Sequence, residues 1–153
     1  MNICVVPIEG VLANGDNLKT AQPTRWARML YDALHSQYRM IALTVNEQEI
    51  ARMWLEREML RDWAGVLTMP DAYFQSGPLG RNNYTEWKVK QTEEFLAEGW
   101  EVSMVIDIVP QVLERISHLG VVTMLLSYPA NKVGWRDPSA ELRAWTDVVS
   151  DLA

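Results

Sequence analysis

Short apolar runs alternate along the chain with longer amphipathic stretches, and this rhythm predicts its elements. Ile3 to Val6, Met40 to Thr44, Gly65 to Thr68, Val102 to Ile106 and Val121 to Leu126 read as strands. The fourth run is apolar at nearly every position, as a strand covered on both faces should be. Between the runs lie helical patterns. Pro23 is placed to open a helix with Trp26, Met29, Leu30, Ala33 and Leu34 on one face. Asn46 with Glu49 is a capping-box start for a helix to about Leu60, and Asn83 with Glu86 starts another that ends near Gly99. Pro110 opens a helix that stops at Gly120, and Asp137-Pro138 caps and opens a last one carrying Leu142, Trp145, Val148 and Val149. Pro70 to Asn82, broken by Gly77, Pro78 and Gly80, reads as a loop.

Five strands, each followed by a helix, predict one α/β domain over 1–153, with a parallel sheet covered by helices on both faces. The composition agrees, with 48% hydrophobic and 22% charged residues in 153. A formal charge of −6 argues against broad electrostatic binding to nucleic acid or an acidic membrane. No apolar run approaches the length of a membrane span, and nothing at the start reads as a signal peptide. With the lone Cys4 in a strand-like run, a cytoplasmic setting and a buried thiol are expected.

Ligands of such sheets bind at the carboxyl ends of the strands. The polar residues there are Glu9 after the first strand, Thr44 after the second and Asp107 after the fourth. Lys88 lies early in the helix before the fourth strand, and helical side chains lean toward the N-terminus, so it reaches the same edge. Each residue has a plainer role open to it. Glu9 suits a solvated loop acid or cap, Thr44 a bond to nearby backbone, and Lys88 an exposed helix position. Asp107 at the end of a buried strand needs a partner, and a structural pair with Lys88 supplies one.

In these positions the chain resembles the haloacid dehalogenase (HAD) superfamily. The family's first motif, Asp-x-Asp-Gly after an apolar strand, is matched by Val5-Val6-Pro7-Ile8-Glu9-Gly10, its second by Leu43-Thr44, its lysine by Lys88 or less well Lys90, and its last acid by Asp107. The resemblance implies a Rossmann-like three-layer sandwich with a five-stranded parallel sheet in the order 5-4-1-2-3. The segment Ala13 to Gln22 leaves room only for a minimal cap. It also implies phosphate binding at Thr44 and Lys88 and a magnesium site at Asp107. The departures reshape that expectation. Pro7 stands where the family has its nucleophilic, metal-ligating aspartate, Glu9 where it has its acid/base aspartate, and Gln111 where many relatives carry a second acid. Magnesium binding is therefore expected to be weak or absent.

The leading expectation is a non-catalytic HAD-like domain, a pseudoenzyme that serves as a binding or self-associating module. The alternatives are a magnesium-dependent phosphohydrolase using Glu9 and Asp107, and a binder of a phosphorylated small molecule. The chain holds seven tryptophans. Trp26, Trp54 and Trp145 suit the core, whereas Trp63, Trp100 and Trp135 lie near helix ends or loops. An aromatic surface cluster there would favour a homodimer or a protein partner.

Overall fold

A computed structural model of the chain describes residues 2–75, 81–127 and 141–152. Strand β1 (Asn2–Pro7) is central, with β4 (Arg39–Thr44) on one side and β6 (Glu101–Asp107) on the other, both parallel to it. Outside β4 lies β5 (Gly65–Thr68), and outside β6 lies β7 (Thr123–Ser127), again parallel. A sixth strand, β8 (Glu141–Ala144), pairs antiparallel with β7, so the order is β5-β4-β1-β6-β7-β8. A two-stranded hairpin, β2 (Ala13–Asn14) with β3 (Gln22–Pro23), follows β1.

Alternation along the strands builds two cores. Cys4, Val6, Met40 and Ala42 face α1 (Ala27–Leu34) and α2 (Gln48–Arg57), where Leu30, Ala51 and Trp54 close the first core. Ile3, Val5, Ile41 and Leu43 face α4 (Arg81–Ala97) and α5 (Pro110–Ser117), where Trp87, Phe95, Val112 and Ile116 close the second. The sheet is thus buried on both faces. Burial pushes the Cys4 thiol up to about 12, so it stays protonated and inert.

Several expectations are corrected. Among the described residues the sheet has six strands, not five, and Leu142 sits on β8, not on a helix; α6 begins at Trp145 and runs to Leu152. Glu, Leu, Arg and Ala all favour helix, but pairing with Met124–Ser127 holds Glu141–Ala144 extended. Pro23 belongs to β3, and α1 starts only at Ala27. Thr24 Oγ1 and Trp26 Nε1 both donate to Val11 O (2.9 and 2.7 Å), which ties this segment to the loop before helix can begin. Met29 and Ala33 face outward on α1, and Tyr31 takes a place on its buried side. Neither expected capping box forms: α2 begins after Glu47 with no side-chain cap, and Asn83 lies inside α4, donating to Tyr73 O. The stretch read as a loop from Pro70 contains a short helix, α3 (Asp71–Gln75). Gly77, Pro78, Gly80, Trp135, Asp137 and Pro138 lie outside the described residues.

Two features of β1 shape its carboxyl end. Ile8 N donates to Leu43 O, so pairing with β4 runs to the strand's end, whereas the register with β6 stops at Val5↔Val105. In a parallel strand, successive residues bond to opposite neighbours. The nitrogen of Pro7 therefore faces the β6 side, where the ladder has ended and no donor is needed. Beyond it, Gly10 has φ +92°, and a Cβ there would lie 2.8 Å from Ile108 Cδ1. The positive φ is what favours glycine there, since the exposed tip of Ile108 can swing aside.

Candidate functional site

The residues singled out at the strand ends come together beside a cavity of about 620 Å³. Glu9, Gly10, Asn14, Asp16, Tyr84 and Lys88 are among those that line it, with Ile108, Val109 and Gln111 on the β6 side. Thr44 and Asp107 sit just behind, fully buried. Lys88 is buried and Lys90 exposed, so Lys88 is the lysine of this site.

Glu9 emerges from β1 and is only 4% exposed. Its Oε2 accepts from Thr44 Oγ1 at 2.5 Å and Asn46 Nδ2 at 2.7 Å. Its Oε1 accepts from Val45 N at 3.2 Å and Tyr84 OH at 3.0 Å. A carboxylate offers about four acceptor positions, and four donors meet this one. Burial raises the Glu9 pKa above the ordinary carboxyl value, while the donors from Thr44, Asn46 and Tyr84 pull it back down. The Tyr84 hydroxyl also lies 3.0 Å from Leu43 O, so its single proton is shared between two acceptors. Burial, reinforced by the nearby Glu9 and Asp107 carboxylates, keeps that phenol protonated.

A second pair lies on the other side of Tyr84. Lys88 Nζ donates to Asp107 Oδ2 at 2.9 Å and stands 3.9 Å from the centre of the Tyr84 ring. Asp107 Oδ1 accepts from Ile108 N at 2.7 Å and Val109 N at 3.1 Å, which shapes the turn into α5. Tyr84 thus joins Glu9–Thr44 to Lys88–Asp107 in one buried network. Asn46 extends it to the hairpin: its Nδ2 also donates to Asp16 O (2.8 Å), and its Oδ1 accepts from Leu18 N (3.3 Å).

Two members of this network escape a reading of strand ends alone. Asn46 looks like a helix cap but spends its side chain on Glu9 and the hairpin. Tyr84 gives no signal at a strand end. Its spacing of four from Lys88 does put both on one face of α4, and that was the available clue.

The arrangement limits the chemistry. Pro7 supplies no nucleophile, Glu9 has no acceptor position to spare, and Lys88 is neutralised by Asp107. The magnesium implied by the family resemblance does not fit these residues. Pro7 brings no oxygen ligand, and the Asp107 carboxylate already accepts from an ammonium and two amides, which leaves about one of its four acceptor positions for a metal that needs several oxygen ligands. Among the described residues, no group of three or more His, Cys, Asp or Glu side chains is placed to hold a metal ion. Likewise, among the described residues, no helix is long and apolar enough to cross a membrane. Trp26, Trp54, Trp87 and Trp145 are buried, and Trp63 packs part-buried near Tyr31. Trp100 is exposed, but most of the other large exposed apolar side chains are methionines and aliphatics. No protein-family model matches the chain, and no curated protein matches it.

Proposed function

We propose that this chain is a degenerate, non-catalytic HAD-like domain of Rossmann-like design that works as a binding module. Its ligand would enter the cavity beside Glu9 and Lys88. The observation that carries the reading is the closed network itself. Groups that a phosphotransfer site would aim at substrate are instead hydrogen-bonded to one another, next to a proline where a nucleophile would stand. The central place of β1, with β4 and β6 on its two sides, is what the resemblance implies for such a scaffold.

The test is phosphate release from small aryl phosphates and beryllofluoride binding, measured on wild type, Pro7→Asp, and the Pro7→Asp/Glu9→Asp pair. Wild type is expected to be silent, since loss of a nucleophile removes roughly four to six orders of magnitude from turnover. Magnesium titration of wild type is expected to show nothing tighter than about millimolar. Metal-dependent turnover or beryllofluoride trapping in either variant supports a scaffold that has lost only its nucleophile. Robust wild-type turnover overturns the non-catalytic reading. Silence from both variants, in folded protein, removes the motif assignment at Lys88 and Asp107.

A further inference from the structure

A second concavity, of about 680 Å³, lies far from these strand ends, between the C-terminal half of α2 and the start of β5. Leu55, Leu60, Trp63 and Val66 give it an apolar lining, and Met53, 72% exposed, lines it as well. The loop that closes it, residues 58–64, holds the only non-glycine residues with positive φ among those described, Met59 (59°) and Asp62 (65°). Such backbone is costly and persists only where neighbours impose it. Here Arg28 donates to Glu58 O and Met59 O (2.9 and 2.8 Å), and Trp63 Nε1 donates to Leu60 O (2.8 Å). The loop is thereby fixed with Met59 turned outward, 61% exposed. β5 beside it is the end strand of the sheet, with no further strand paired to it among the described residues.

The charges around this groove are of both signs. Arg61 pairs with Glu56, and Arg57 pairs with Glu58. Arg52 and Asp62 both line the groove and have no side-chain partner among the described residues. One unpaired cation and one unpaired anion line the same groove as the exposed Met53, so the patch carries both halves of a charge pair. In a two-fold contact, residue i meets j while j meets i, so Arg52 of each copy meets Asp62 of the other and the methionines fill the middle.

We propose that the α2–β5 face is the contact between two copies of this chain, with Met53 at its centre and reciprocal Arg52–Asp62 pairs at its rim. Flexible methionines suit such a seam, because they fill irregular gaps without demanding one geometry. This face is separate from the cavity at Glu9, so the proposal stands or falls independently of the function proposed for that cavity.

The experiment is sedimentation velocity across a wide concentration range on the full chain, with thermal melts confirming that each variant is folded. Wild type is expected to dimerise, and Met53→Glu, a change at an exposed position, is expected to leave it monomeric. Arg52→Glu and Asp62→Lys should each weaken the dimer by about tenfold, since two symmetry-related pairs are lost at once. The Arg52→Glu/Asp62→Lys double variant should recover to within about threefold of wild type, because the swapped charges meet again across the axis. A wild-type monomer at every concentration overturns the proposal, and so does a dimer indifferent to Met53→Glu. Single charge variants that weaken the dimer without rescue in the double overturn it too, and point instead to a contact that is not self-complementary.

Discussion

The two concavities of this molecule are opposites in how their polar groups are used. At the carboxyl end of β1, Glu9, Thr44, Asn46, Tyr84, Lys88 and Asp107 are all hydrogen-bonded within the chain, and four of the six are at most 4% exposed. At the α2–β5 groove, backbone strain, exposed methionines and two unpaired charges lie together on the surface. Buried polar groups must find partners inside or cost several kcal/mol. Surface charges carry no such obligation and remain free to meet another molecule. Residues that look catalytic in the sequence are here hydrogen-bonded within the chain, whereas residues with no motif line the more exposed concavity.

The largest effect expected from breaking this contrast is at the Lys88–Asp107 pair. Asp107→Ala leaves a buried ammonium without its carboxylate and should destabilise the protein by about 3–5 kcal/mol in urea unfolding. The Lys88→Met/Asp107→Asn double variant should recover most of that loss, because it removes both charges while an amide oxygen still accepts from Ile108 N and Val109 N. A loss below about 1 kcal/mol for Asp107→Ala would mean that water reaches the pair and that the network is not closed.

A smaller effect is expected at Tyr84. Tyr84→Phe removes one of four donors to Glu9 while keeping the ring beneath Lys88, and should cost about 1–2 kcal/mol. It should also raise the Glu9 pKa further, which carbon-labelled NMR titration of the carboxyl would read directly. An unchanged Glu9 titration would show that the phenol proton is given to Leu43 O instead.

The smallest effect is a pH slope. Burial raises the Glu9 pKa in the folded state above its value of about 4.5 in the unfolded chain. Folding therefore favours the protonated form. The contribution is full below that unfolded value and is lost as pH rises through the folded one. Other carboxylates impose their own slopes, so the readout is the stability difference between wild type and Glu9→Gln across that range. Wild type should lose stability relative to the glutamine variant as pH rises toward neutrality. A flat difference would show that the four donors fully offset burial.

Much of the scaffold was legible in the sequence, and the failures have physical causes. Apolar runs located β1, β4, β5, β6 and β7, because a strand buried on both faces has little room for polar residues. Strand β8 was not legible, since Glu141 to Ala144 carry helix-forming side chains and owe their extension to a neighbour. Glu9, Thr44 and Asp107 were found by their places at strand ends and Lys88 by its place on the helix before the fourth strand, and the structure brings them together. Their mutual saturation was not readable, because it depends on Asn46 and Tyr84 arriving from other elements. The α2–β5 groove gave no motif at all. Its character lies in a positive φ at Met59 and Asp62, which residue types other than glycine do not announce.

Pro7 has one more consequence, and it concerns the unfolded chain more than the folded one. An amide at that place would point its N–H into the gap where β6 has left β1, and would need a water or a side chain to answer it. Proline removes that demand and at the same time stiffens the denatured ensemble, so the chain has fewer conformations to give up on folding. Where the native backbone accepts it, such a residue is worth about 0.4–1 kcal/mol. Placing an aspartate at position 7 would therefore add a carboxylate at the expense of conformational entropy. A chain with no use for a carboxylate at that place has a thermodynamic reason to keep the ring.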